Sequence, residues 1–289
     1  MKRKILIGVL IAAIGLLGII FVLSSENALT IHPKGVIARD ILDLICTNFV
    51  LMGIIIIPTY LLLFWVVWKY CIKNENAVHD PHHTCRPIGQ MMMWGLPCII
   101  VIVMALITWD VTFKLNPYKP IESDAKPLTV QVVALDWKWL FIYPEQGIAT
   151  LNYLHIPAGT PIHLELTADD APMNSFWIPQ LGGQIYSMTG MTTQLHLMAD
   201  GPGDYAGKAV EINGDGYADM TFLVKATTHT EFENWVQLAK TSPYHLTEDV
   251  YQELVKHFVK KDILLYSEVE QNLYHKIVHR YMYPTGPVL

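Results

Sequence analysis

Cysteine is scarce, and its placement matters more than its number. Cys46, Cys71, Cys85 and Cys98 are the four, and none follows in the rest of the 289 residues. The C-terminal two-thirds therefore has no disulfide and no thiolate for a copper ion, mononuclear or dinuclear. There is no Cys-x-x-Cys, no internal repeat and no low-complexity run. Charge is sparse as well: 16% of residues are charged against 52% hydrophobic, and the net charge is −6. No basic cluster occurs in the polar half, which argues against nucleic acid as a partner. The balance suits a membrane-anchored chain that carries one soluble domain.

What is present begins with export. Lys2-Arg3-Lys4 precede an apolar run over residues 5–23. The run exceeds the roughly 7–15 residues of a usual signal h-region, which favours a signal-anchor, whereas Val22-Leu23-Ser24 ends small, as a cleavage site does. Both readings of residues 1–25 stand. Residues 44–68 carry no charge and exceed the about 20 needed to cross a hydrocarbon core. Pro58 predicts a kink that frees the carbonyl of Ile54. Trp65, Trp68 and Tyr70 are placed as an interfacial belt. A second span is predicted over residues 88–109, between Arg86 and Asp110, with Pro97 inside it. Together, residues 44–110 read as a transmembrane helical hairpin, apolar on every side, that packs against a larger partner.

Lys2, Arg3 and Lys4 argue for a cytoplasmic N-terminus, which puts residues 69–87 inside and residues 111–289 outside. The inner loop holds His79, His82, His83 and Cys85, read as a polar loop without ligand geometry.

From Pro127 the pattern changes to strands. Ile162, Leu164 and Leu166 alternate with His163 and Glu165, which predicts one buried and one solvent face. Turns such as Pro157-Ala-Gly-Thr-Pro161 and Gly201-Pro-Gly203 punctuate short strands, the pattern of a β-sandwich over residues 127–229. Residues 230–289 read as a helical C-terminal extension. Phe232, Trp235, Val236 and Ala239 recur at helical spacing, and Thr247 before Glu248-Asp249 marks a helix start. The last helix is predicted over residues 263–281, with Leu273, Ile277 and Tyr281 on one stripe. His275 and His279 are four apart, but Lys276 stands where a zinc protease motif has Glu, so the pair reads as solvent-facing.

Three stretches carry a family resemblance: residues 136–147 (Asp-Trp-Lys-Trp-Leu-Phe-Ile-Tyr-Pro-Glu-Gln-Gly), 173–179 (Met-Asn-Ser-Phe-Trp-Ile-Pro) and 181–188 (Leu-Gly-Gly-Gln-Ile-Tyr-Ser-Met). With residues 205–220, they resemble subunit II of the haem–copper oxidases, which implies a cupredoxin-like sandwich. In the cytochrome c oxidase branch, the loop matching 205–220 and a His before Ser-Phe-Trp-x-Pro hold a dinuclear copper centre. The matching positions here are Asn174, Ala209, Glu211, Asn213, Tyr217 and Met220. Only Glu211 and Met220 keep the family residue, and in the family the Glu binds through its main-chain carbonyl.

The chain therefore resembles the copper-free branch, the cytochrome o-type ubiquinol oxidases. That resemblance implies a non-catalytic subunit of a proton-translocating enzyme that oxidises quinol and reduces oxygen to water. No cofactor or metal is expected on this chain; haems and one copper belong to the partner catalytic subunit. The implied partners are subunit I, smaller membrane subunits, the lipid bilayer and, through the complex, quinol. The implied location is the bacterial inner membrane, with the C-terminal domain on the periplasmic side. Trp137, Trp139 and Tyr143 match an aromatic cluster near the family's electron-accepting surface, and are expected to serve in aromatic packing and as a docking patch on the catalytic subunit. Gln90 stands where the family commonly has a Glu that aids proton uptake. The alternatives are a membrane-tethered cupredoxin-like binding or assembly module, and a cytochrome c oxidase subunit II.

Overall fold

The computed structural model describes residues 29–70, 86–169, 173–256 and 262–282, together with Gly15, Gly18 and Ser24. The rest of the expected signal segment and the loop histidines His79, His82 and His83 with Cys85 lie outside these residues. The chain divides into two compact units, Leu42–Asn116 and Met1–Ile41 with Pro117–Leu289.

The first unit is helical. Helix α1 (Val36–Lys69) and helix α2 (Pro87–Lys114) are both long and apolar enough to cross a membrane. At 1.5 Å per residue, the 34 residues of α1 extend about 50 Å, well beyond a hydrocarbon core of about 30 Å. The excess is the polar first turns with Arg39, Asp40 and Asp43, which explains why the uncharged run begins only at residue 44. Pro58 and Pro97 lie inside the helices and remove one backbone donor each. Thr59 and Thr112 donate their hydroxyls to the carbonyls of Ile55 and Thr108, at 2.7 Å in both cases.

The second unit is a β-sandwich. Its strands are β1 (Leu128–Leu135), β2 (Lys138–Tyr143), β3 (Ile148–Leu151), β4 (Tyr153–Pro157), β5 (Ile162–Ala168), β6 (Asn174–Trp177), β7 (Ile185–Ser187), β8 (Thr193–Leu197), β9 (Gly203–Ala209) and β10 (Thr221–Thr227). One sheet runs β3-β2-β1-β5-β8, and the other runs β4-β10-β9-β6-β7. Strands β1 and β5 pair in parallel, as do β10 and β4, while the remaining neighbours are antiparallel. The alternation in β5 appears as expected: Ile162, Leu164 and Leu166 are buried, and His163 and Glu165 are partly exposed.

Between the sheets, Trp139 and Phe141 meet Phe176 and Phe222 edge-on or tilted, with ring centroids 5.0–6.4 Å apart within the group. Such aromatic pairs contribute beyond the area they bury. Residues 34–39, at the start of α1, belong to this second unit and are bonded within it. Lys34 donates its N–H to the Gln180 carbonyl, Asp200 donates to the Lys34 carbonyl, and Arg39 forms an ion pair with Asp200.

The C-terminal extension has the expected helices and adds three short strands. It contains α3 (His229–Ala239), β11 (His245–Leu246), α4 (Glu248–Lys256), β12 (Leu264–Tyr266), β13 (Glu268–Val269) and α5 (Leu273–Met282). Strand β12 extends the first sheet by pairing with β3, Leu264 opposite Leu151. The last helix cannot start at residue 263, because Asn272 has φ 61, a left-handed conformation that interrupts a helix. Its buried face is Leu273, Tyr274, Ile277 and Val278 rather than the stripe ending at Tyr281. That face, with Leu246, Tyr251 and Leu254, packs on Leu135, Leu140, Ile142 and Leu151 and forms a second core. The first sheet is thus covered on both sides, and all six residues of β2 are buried.

Candidate functional site

The loop at residues 210–220 joins β9 to β10, which pair antiparallel. Its ends are fixed by backbone bonds: Ala209 donates its N–H to the Met220 carbonyl at 2.9 Å, and Val210 donates to the Ser175 carbonyl at 3.2 Å. Phe176 stands opposite Ala209 in the β6–β9 pairing, so Asn174 sits beside the loop. A short 3₁₀ turn, Tyr217–Asp219, closes it.

This arrangement brings Asn174, Ala209, Asn213 and Met220 together. Asn174 and Met220 are fully buried and Ala209 nearly so. The Asn213 amide donates to the Asn174 side-chain oxygen, while the Asn213 oxygen is buried without a hydrogen-bond partner. Glu211 and Tyr217 are on the same loop and partly exposed. The donor set is thus two amides already bonded to each other, one thioether, one carboxylate, one phenol and an alanine. It supplies neither a thiolate to bridge two coppers nor an imidazole to cap them. Among the described residues, no group of three or more His, Cys, Asp or Glu side chains is arranged to hold a metal.

Trp137 forms the rim. Its own φ is 52, and its ring lies against Gly214 and Gly216. A Cβ on Gly216 would stand 2.3 Å from the Trp137 ring, so only glycine admits the indole there. Trp139 and Tyr143 do not join it, which corrects the expected docking patch. Both are completely buried, Trp139 between the sheets and Tyr143 against Phe232 and Trp235 of α3. In β2 alternate residues point inward, so Trp139 and Tyr143 take core positions while only Trp137, before the strand, reaches the surface.

Tyr143 instead organises the far end of the core. Its hydroxyl donates to the His155 carbonyl at 3.0 Å and accepts from the His155 N–H at 2.8 Å. Burial raises its pKa well above the usual phenol range. The His155 ring lies between the Tyr153 hydroxyl at 3.1 Å and the Thr227 hydroxyl at 2.8 Å. Burial, reinforced by the Lys225 charge, pushes the imidazole down to about 4.

Two further clusters escaped the sequence reading. Asp169 is fully buried and accepts hydrogen bonds from the hydroxyls of Tyr251 and Tyr281 and from Arg280. Its donors come from α4 and α5, which no local pattern links to residue 169. On β5 and β8, His163 and His196 stand directly opposite and stack with ring centroids 4.7 Å apart. Burial, followed by the neighbouring His196, lowers the pKa of His163. His275 and His279 of α5 are exposed, as expected for a solvent-facing pair.

Comparison with known proteins matches these features. The family described as "Cytochrome C oxidase subunit II, periplasmic domain" matches residues 108–227, and "COX Aromatic Rich Motif" matches residues 240–285, the segment that holds Tyr251, Tyr274 and Tyr281. The cytochrome bo(3) ubiquinol oxidase subunit 2 of Pseudomonas aeruginosa is 42% identical over 86% of this chain and 75% of its own length. The ubiquinol oxidase subunit 2 of Acetobacter aceti is 41% identical over 97% of this chain and 91% of that protein. The quinol oxidase subunit 2 of Bacillus cereus is 39% identical over 78% of each. The chain belongs to the ubiquinol oxidase subunit 2 family, and its sandwich is the cupredoxin-like domain of that family.

Proposed function

We propose that this chain is the non-catalytic subunit II of a proton-translocating quinol oxidase, and that residues 205–220 are a copper loop emptied of its ligands. Electrons come from quinol in the bilayer to the haems and single copper of the catalytic subunit, and bypass this chain. The two spans pack against that subunit within the inner membrane, and the sandwich covers its periplasmic face. Of the three expected docking aromatics, Trp137 alone offers surface for that contact. The observation that carries this reading is the donor set at Asn174, Ala209, Asn213 and Tyr217, which has no thiolate or imidazole. It occurs in a chain whose relatives bear the name ubiquinol oxidase subunit 2.

Metal and haem analysis of the native complex tests the reading. Stoichiometric haem with one copper per complex is expected. Additional copper that stays with this chain would return it to the cytochrome c oxidase branch, and isolation without haem would favour a free-standing binding module. A gain-of-site variant is the sharper test. Asn174→His, Ala209→Cys, Asn213→Cys and Tyr217→His together replace the bonded amides and the alanine with two thiolates and two imidazoles. The variant is expected to take up two coppers and absorb strongly in the visible range. A folded, colourless variant would break the proposed correspondence of positions.

A further inference from the structure

The connection between β9 and β10 holds the only asparagine of the sequence that precedes glycine, Asn213-Gly214. Asparagine is a thermolabile residue, and a following glycine makes it more so, because no side chain shields the N–H that can attack the amide and close a five-membered ring. Three observations show that the fold keeps this step open. Gly214 has φ 135, which L side chains rarely adopt, and a Cβ there would stand 2.9 Å from the Trp137 ring, so the position demands glycine. Among the described residues the Gly214 N–H makes no hydrogen bond, while its carbonyl accepts from the Tyr217 N–H at 3.3 Å. Gly214 is exposed and Ile212 is 78% exposed, so water reaches the connection.

The Asn213 side chain is lightly held: its amide donates one bond, to Asn174, and its oxygen has no partner. The other described asparagines are screened. Asn116 precedes Pro117, which has no N–H to attack. Asn48 and Asn234 lie inside helices, where the following N–H is bonded. Asn174 is fully buried, the Asn152 side-chain oxygen accepts from the Trp139 N–H, and the Leu273 N–H after Asn272 donates to the Glu270 carbonyl. Asp215-Gly216 could close the same ring, but Gly216 is buried against the Trp137 indole.

We propose that Asn213 is a site of spontaneous modification, at which water replaces ammonia and the neutral amide becomes aspartate or isoaspartate. The Gly214 nitrogen bonds to Asn213 Cγ and gives up its proton, the Cγ–Nδ2 bond breaks, and Nδ2 takes up a proton and leaves as ammonia. Water then adds to either carbonyl of the cyclic imide, the ring C–N bond at that carbonyl breaks, and the nitrogen regains its proton. Opening at Cγ gives aspartate, and opening at the main-chain carbonyl gives isoaspartate. Either product carries a negative charge and turns the donor that faces Asn174 into an acceptor. Isoaspartate also adds a carbon to the main chain of a connection whose ends are fixed by the Ala209–Met220 and Val210–Ser175 bonds. Conversion therefore loosens the hold of this connection on β6.

The test incubates the full-length chain in detergent in mildly alkaline buffer and follows it by peptide mapping with isoaspartate detection, ammonia release and thermal melting. Release of one ammonia per chain is expected, with the acid products at Asn213 and a lower melting temperature. Asn213→Gln would have to close a less favourable six-membered ring, and should keep its amide and its melting temperature through the same incubation. Asn213→Asp should show the lower melting temperature without incubation; if it fails to fold, the parent chain decides alone. The proposal is overturned if Asn213 keeps its amide while a free peptide of residues 210–216 is fully converted. It is equally overturned if other asparagines convert as fast, or if the converted chain melts with the parent.

Discussion

Asp169 gives the most demanding test of how the extension is held. A fully buried carboxylate is costly unless its lone pairs are filled, and here Tyr251, Tyr281 and Arg280 fill them. Tyr251→Phe removes one donor while preserving the ring that packs in the second core. A hydrogen bond to a charged group contributes about 1.5–3 kcal/mol. For a folded unit of this size, about 2–4 °C accompanies each kcal/mol, so the melting temperature should fall by about 3–12 °C. Arg280 is one-third exposed and its ion pair is discounted accordingly. Asp169→Asn leaves donors facing an amide and should cost at least as much. The assay is thermal unfolding of the full-length chain, followed by near-UV circular dichroism, with limited proteolysis of the extension. The two changes should couple, since both break one contact; the double variant should be less destabilised than the sum by about 1 kcal/mol or more. Strict additivity, or a Tyr251→Phe melting curve that overlays the parent, would refute the claim that Asp169 fastens the extension.

Gly216→Ala places a Cβ where the Trp137 ring lies, at 2.3 Å, and should displace the indole and destabilise the chain by about 1–3 kcal/mol; unchanged Trp fluorescence and stability would contradict that packing. For His155, the folded pKa of about 4 lies below the ordinary 6.5, so the unfolded chain binds more protons between those values. Stability should therefore decline as pH falls from 6.5 towards 4, and His155→Gln should flatten that slope in pH-dependent melts. For orientation, Cys71 and Cys85 should react with a membrane-impermeant thiol reagent only after the inner membrane is breached; labelling of intact spheroplasts would invert the topology.

The parts legible in the sequence share a physical trait: their determinants are near one another in the chain. The spans follow from uncharged runs, and β5 from the alternation of Ile162, Leu164 and Leu166 with His163 and Glu165. The six candidate loop positions fall close together because Glu211, Asn213, Tyr217 and Met220 belong to one hairpin connection, Ala209 ends the strand before it, and Asn174 starts the strand paired with that one. Trp139 and Tyr143 were misread because an aromatic run shows no polar face when both sides of a strand are covered. Strand β2 is flanked by the second sheet on one side and by α4 and α5 on the other.

That cover also explains why Asp169 was invisible. Its donors lie 82, 111 and 112 residues further along the chain, and nothing near residue 169 announces them. Yet the second core makes the contact necessary. Helices α4 and α5 bring an apolar face to the sheet, but hydrophobic burial is non-directional and does not by itself fix where along the sheet they rest. A buried carboxylate that accepts from both helices does fix it, because any slip leaves a charge unpaired. The same reasoning separates the two polar sites of the sandwich. Asn174 and Asn213 are neutral amides that share one hydrogen bond, so no buried charge fixes their placement. Asp169 has no such freedom, and substitutions at Tyr251 or Tyr281 should be felt at Asp169 before they are felt in the apolar packing around them.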